Sequence, residues 1–125
     1  MPFHKECKYL KSSFGVFNVK INKPVNCNTS NVVYLIECSK CTMQYVGETD
    51  REFKMRLKEH LGYVRNSKLN KPTGLHFNLP GHNISMLKAS ILEKCFHSST
   101  TYRKQREEFF IQAFQTKFKG MNKML

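Results

Sequence analysis

Residues 31–47, NVVYLIECSKCTMQYVG, constrain the fold more than any other stretch of the chain. They form two short runs of β-branched, aromatic and aliphatic residues split by a small polar insert, a pattern that predicts a β-hairpin. With Ser39-Lys40 as the turn, facing residues have numbers that sum to 79. Tyr34 then faces Tyr45, Ile36 faces Met43 and Cys38 faces Cys41. Side chains alternate along a strand, so all six project from one face of the ribbon. Ser-Lys lacks the Gly or Asn that a tight primed turn prefers. The expected product carries two phenols side by side and two thiols at its tip.

After Gly47 the hydrophobic period lengthens to about 3.6. Thr49 or Asp50 is the expected N-cap of a helix over residues 51–66. Phe53, Leu57, Leu61 and Val64 form its apolar stripe, with Arg56 and His60 four apart on the flank. A shorter helical piece follows Pro72, carries Leu75, His76 and Phe77, and ends at Asn78-Leu-Pro-Gly81. Residues 86–94 alternate as a third strand through Leu87, Ala89 and Ile91, with Cys95 in step. The Ser/Thr run at residues 98–101 caps a last helix of about seventeen residues, stopped by Gly120 as C-cap.

Residues 1–30 read as an N-terminal extension. Within it residues 14–21 alternate weakly, a candidate extra strand, and residues 23–30 are loop-like; Cys7 and Cys27 carry no defensible chemistry. The order β-β-α-(α)-β-α over residues 31–125 predicts an α+β domain, a small antiparallel three-stranded sheet flanked by helices.

At 125 residues there is room for one core. No apolar run approaches the roughly 18–20 residues of a membrane span, and the N-terminus has no signal-peptide core. Five cysteines, an odd number, argue against a disulfide framework and for a reducing, intracellular compartment. The formal charge of +12 is either a solvated basic surface or the footprint of a polyanion, most often nucleic acid bound through its phosphates. No long Lys/Arg block exists, so the charge belongs to a folded surface and not to a tail.

The last helix holds an anomaly. Phe110, Ile111, Phe114 and Phe118 form its apolar stripe, and stepping back one turn from Phe110 or Ile111 lands on Glu107. Burying a lone carboxylate costs several kcal/mol (~3–5) unless it is paired or binds a cation. Glu107 is therefore an ion-pair partner of Arg103 or Arg106, an acid favoured near the helix start, or a metal-binding carboxylate facing a cleft beside the hairpin. Taken singly, Tyr34 and Tyr45 read as core and Arg56 and His60 as surface decoration; their convergence with Glu107 on a basic domain favours a shared site.

Cys38-x-x-Cys41 has the spacing of two tetrahedral zinc ligands, and His76-x5-His82 can supply two more. A redox pair or two idle thiols are the alternatives. A redox motif would open a helix after a strand, whereas this one lies at a hairpin tip. His97 or Cys95 is the alternative to one of the histidine ligands.

At these residues the chain resembles the GIY-YIG endonucleases. Val32-Val33-Tyr34 stands where that family has its GIY triplet and Tyr45-Val46-Gly47 where it has YIG, with the two tyrosines eleven apart. The resemblance implies that Arg56, His60, Glu107 and Asn122 match the family's helix arginine, its histidine, its metal-binding glutamate and its late asparagine. A narrower resemblance is to the endonuclease domain of Penelope-like retroelements, carried by Cys38-Ser-Lys-Cys41, Gly47-Glu-Thr49, Arg56-Leu-Lys-Glu-His60 and His76-Phe-Asn-Leu-Pro-Gly-His82. It implies a closed, structural zinc site of Cys38, Cys41, His76 and His82.

The resemblance further implies hydrolysis of a DNA phosphodiester with Mg2+ or Mn2+ on Glu107, Arg56 on the scissile phosphate and Tyr34 as the base. Such a base needs its phenol lowered by about three units, on the order of 4 kcal/mol. Tyr45 and His60 orient water or phosphate, and Asn122 braces the site or touches the DNA backbone. DNA is the implied partner, together with a reverse transcriptase domain of the same polyprotein, and the nucleus the implied location. The rival is a zinc-stapled nucleic-acid-binding module that does not cut.

Overall fold

In the computed structural model, which describes residues 9–11, 18–20, 25–96 and 99–124, two short strands pair in a sheet of their own. These are β1 (Tyr9–Lys11) and β2 (Asn18–Lys20). β2 falls in the alternating segment at residues 14–21 but joins β1, not the main sheet. The remainder of that segment, Cys7 and His97 lie outside the described residues.

The main sheet consists of β3 (Val32–Cys38), β4 (Gln44–Thr49) and β5 (Leu87–Lys94), in the order β4-β3-β5 and antiparallel throughout. Around it lie α1 (Phe53–Arg65), α2 (Pro72–His76), α3 (Thr100–Phe114) and α4 (Thr116–Lys119). This is the expected α+β architecture.

The hairpin register departs from expectation. Tyr34 is opposite Gly47 and Ile36 is opposite Tyr45, a slip of two residues. The cause is a longer loop: Cys38 N–H donates to Met43 O at 2.9 Å, Thr42 N–H donates to Cys38 O at 2.8 Å, and Thr42 takes a left-handed φ of 64°. Ser39-Lys40 therefore belongs to a four-residue connection and is not itself a two-residue turn. A slip of two preserves side-chain parity, so Tyr34, Ile36, Cys38 and Tyr45 still share a face.

Both faces of the sheet are buried. The first, with Val32, Tyr34, Ile36, Tyr45, Ala89 and Ile91, packs on Phe53 and Val64 of α1, and on Val25, Phe77 and Met121. The second, with Val33, Leu35, Val46 and Leu92, packs on Phe110, Ile111 and Phe114 of α3. A β-bulge makes this possible on β5: the partner of Val33 is Glu93 and that of Tyr34 is Ile91, so Leu92 is the extra residue and turns to the second face. Cys95, expected in step with Ile91, consequently lies in the second cluster.

Neither Thr49 nor Asp50 caps α1. Glu52 holds the cap position, and the free amides of Phe53 and Lys54 donate to the carbonyls of Thr29 and Cys27 at 2.9 and 2.7 Å. The loop before β3 thus satisfies the donors that a side-chain cap would have taken. Ser99 does cap α3, its hydroxyl accepting from Tyr102 N–H. The last helix does not run to Gly120. It breaks at Gln115, whose φ of 59° is left-handed, and the chain restarts as α4. The break turns Phe118 off the apolar stripe, leaving it 81% exposed. Gly120 is extended at the end of α4, where a Cβ would strike the carbonyl of Gln44.

That close approach delivers Asn122 to β4. This strand is at the sheet edge, with one side of its backbone unpaired by β3. Asn122, fully buried, donates from Nδ2 to Val46 O at 2.9 Å and accepts from Val46 N–H at 2.8 Å, as a neighbouring strand would. Each buried backbone group left unpartnered costs about 1–3 kcal/mol. Asn122→Ala is expected to lower unfolding free energy by about 2–5 kcal/mol, read as an earlier urea midpoint; an unchanged midpoint would contradict this account.

Candidate active site

Tyr34 and Tyr45 lie on the face covered by α1, with ring centroids 6.4 Å apart. The Tyr34 ring crosses its partner Gly47 so closely that a Cβ there would overlap Cζ and Oη. The last residue of the Tyr45-Val46-Gly47 triplet is glycine because the phenol occupies the space of its side chain.

Arg56 and His60, one turn apart on α1, reach the same phenol. Arg56 Nε–H donates to Tyr34 Oη at 3.2 Å, and His60 Nε2 lies 2.7 Å from that oxygen. His60 is not on the flank of the helix; it is 1% exposed and meets Tyr34, Tyr45 and Tyr63 edge-on, at 5.5–5.6 Å between centroids. Its Nδ1 is 2.8 Å from Thr73 Oγ1, on α2. Arg56 is held from its other edge, where Nη1 donates to Glu59 Oε1 at 2.7 Å and to Tyr63 Oη at 3.2 Å. Arg51 grips the same Glu59 oxygen at 2.7 Å.

These contacts set the charges. Burial lowers the imidazole of His60 to about 3, helped by Arg56, so the ring is neutral at pH 7. Hydrogen bonds from Arg51 and Arg56 hold the Glu59 carboxyl at about 2. The Tyr34 phenol moves against the direction a base requires: burial raises it, Tyr45 adds to the rise, and Arg56 opposes without prevailing. Tyr45 is also raised, again by burial.

Glu107 is half-buried on α3, which packs across β4. Neither arginine proposed as its partner is available. Arg103, buried, pairs with Glu48 of β4, and Arg106 pairs with Glu93 of β5 at 2.8 Å. Lys104 also engages Glu48, at 2.8 Å. These ion pairs fix α3 against the sheet and leave Glu107 with no hydrogen bond or ion pair among the described residues. Burial raises its carboxyl, Lys104 works against this, and Glu48 and Glu108 add to it. The negative field of Glu107 is felt at both Tyr34 and Tyr45. A half-buried carboxylate without a protein cation has the chemistry of a ligand for a hard divalent ion.

The structure thus brings Tyr34, Tyr45, Arg56 and His60 together, and places Glu107 near enough for its charge to act on both phenols. Asn122 acts on the backbone of β4 between Tyr45 and Gly47, so of its two expected roles the brace is the one its burial permits.

A second constellation forms at the hairpin tip. The ligand atoms of Cys38, Cys41, His76 and His82 all lie within 4.8 Å of one another. An ideal Cys2His2 zinc tetrahedron has edges of about 3.3–3.8 Å, given Zn–N near 2.0 Å and Zn–S near 2.3 Å. His82 Nδ1 is turned to Pro80 O at 3.2 Å, which leaves Nε2 buried with no hydrogen-bond partner among the described residues. That orphaned nitrogen is the atom a metal would take. Lys40 Nζ, donating to Gly81 O at 2.7 Å, ties the tip to the histidine loop. Cys95, in the opposite core cluster, is no part of it.

Sequence reading missed Glu59, Tyr63, Thr73 and Glu48. The first two carried a signal, since Glu59 is three residues from Arg56 and Tyr63 seven, on one helix face. Thr73 and Glu48 act across elements and left none.

The model of the GIY-YIG catalytic domain matches residues 30–122, and the chain belongs to this family. No curated protein and no solved structure matches it. GIY-YIG domains are nucleases: they act on nucleic acid and use divalent metal ions.

Proposed function

We propose that the protein is a DNA endonuclease that nicks its target by hydrolysing a phosphodiester bond with Mg2+ or Mn2+. The observation that carries this reading is Glu107, a half-buried carboxylate with no hydrogen bond or ion pair among the described residues, in charge range of both phenols. A domain that only bound nucleic acid would gain nothing from it. The formal charge of +12 suits a polyanion substrate.

Glu107 would hold the catalytic ion, which supplies Lewis-acid polarisation of the scissile phosphate. Arg56 presents a guanidinium to the same phosphate, already oriented by Tyr34, Glu59 and Tyr63. Tyr34 and His60 handle the proton of the attacking water; Tyr45 packs beside both rings. Cys38, Cys41, His76 and His82 would hold a structural zinc ion, four protein ligands leaving no position for substrate. The order of motifs around Cys38-x-x-Cys41 supports a role in Penelope-like retroelement integration, with a reverse transcriptase domain as partner and the nucleus as site of action.

Plasmid nicking tests the proposal. Glu107→Gln keeps shape and removes charge; it is expected to reduce metal-dependent nicking by about 10²–10³-fold or more, with DNA binding retained in a gel shift. A folded, zinc-loaded wild type that binds DNA and never cuts would replace this reading with the binding module.

A further inference from the structure

We infer that Thr73 is a positioning residue: it fixes the tautomer of His60 so that Nε2 takes the hydrogen of the Tyr34 hydroxyl. The inference rests on the nuclease reading above for its catalytic meaning and on geometry alone for the tautomer.

The hydrogens are assigned by elimination. Arg56 Nε can only donate, so at 3.2 Å it fills one lone pair of Tyr34 Oη. The phenol's own hydrogen then goes to His60 Nε2, 2.7 Å away. The neutral ring carries its single proton on Nδ1, which faces Thr73 Oγ1 at 2.8 Å. Thr73 is fully buried, so no water substitutes for it. α2 is held close to α1: Asn78 Nδ2 bridges Val64 O and Gly74 O at 3.0 and 2.7 Å, and a Cβ on Gly74 would strike the carbonyl of Lys68.

This arrangement gives the proton of a phenol raised by burial a place to go. Tyr34 need not exist as a free phenolate. As the water oxygen bonds to phosphorus and the phosphorus–oxygen bond to the leaving sugar breaks, the water proton passes to Tyr34 Oη. The phenol's proton passes in the same movement to His60 Nε2. Tyr34 ends neutral, His60 is an imidazolium only within the step, since burial and Arg56 favour its return of the proton to solvent, and the leaving oxygen takes a proton from solvent. The relay works only if Nε2 is bare, and Thr73 favours that state by offering the Nδ1 proton a buried acceptor.

Thr73→Val preserves volume and deletes the acceptor; Thr73→Ser keeps it. Nitrogen-15 resonances of His60 are expected to report Nδ1 protonated and Nε2 bare in wild type and Thr73→Ser, with that preference lost in Thr73→Val. Nicking is expected to fall about tenfold or more in Thr73→Val, at unchanged DNA affinity, and to stay near wild type in Thr73→Ser. An unchanged tautomer and rate in Thr73→Val, or a Thr73→Ser as slow as Thr73→Val, overturns the inference. If the wild type never cuts, the nuclease reading fails, and the resonances still decide whether Thr73 orients His60.

Discussion

Arg56→Ala is expected to lower single-turnover nicking by about 10²–10³-fold, the usual loss when a preorganised donor to a developing anion is removed. The expected effect on folding is small by comparison. Glu59, more than a third exposed, keeps its bond to Arg51, and the Tyr34 hydroxyl keeps His60, so stability falls by about 1 kcal/mol. The contrast between a large kinetic and a small thermodynamic effect separates a catalytic arginine from a structural one. Arg56→Lys sharpens the test. A lysine retains the charge but cannot hold Tyr34 with one edge and Glu59 and Tyr63 with another, so most of the loss should remain. A lysine variant that cuts at the wild-type rate would reduce Arg56 to a point charge and undo the argument from its geometry.

How far the sequence could lead depended on whether a feature was local. Parity along β3 and β4 is local, so the shared face of Tyr34 and Tyr45 was legible even though the loop length shifted their pairing by two. Helical period is local too, and it placed Glu107 on the inner side of α3. The break at Gln115 was not legible, because glutamine in a left-handed conformation has no composition signal. Phe118 was assigned to the core for that reason and is exposed.

The environment of each site residue is the non-local part. That Glu107 has no ion pair among the described residues follows from the engagement of Arg103 and Arg106 with acids on β4 and β5, 55 and 13 residues away in sequence. The lowered phenol that a base at Tyr34 needs is opposed by burial, which dominates in this core. Thr73 is one hydroxyl placed on His60 by the packing of α2 against α1. No pattern in the chain distinguishes it from any other threonine.

Removal of one ligand at the hairpin tip is expected to have the largest effect on stability. Cys41 is the ligand to change, because it is exposed: without a bound ion Cys41→Ala removes its contact with His76 Nε2 at 3.3 Å and should cost about 1 kcal/mol. With zinc bound only to the folded state, at about 1,000 times its dissociation constant, the ion contributes about 4 kcal/mol. Losing that contribution from a domain of this size lowers the melting temperature by about 10–20 °C. The same drop is expected in wild type stripped with a zinc-selective chelator, and the chelator should then do nothing further to Cys41→Ala. The damage should also reach the catalytic face, since His76 and Thr73 share the five-residue α2. A helix released at His76 no longer holds Thr73 against His60, so residual nicking by the zinc-free protein should resemble that of Thr73→Val. A Cys41→Ala protein as stable as wild type, purified without stoichiometric zinc in either, would mean that the four ligand atoms meet for packing alone.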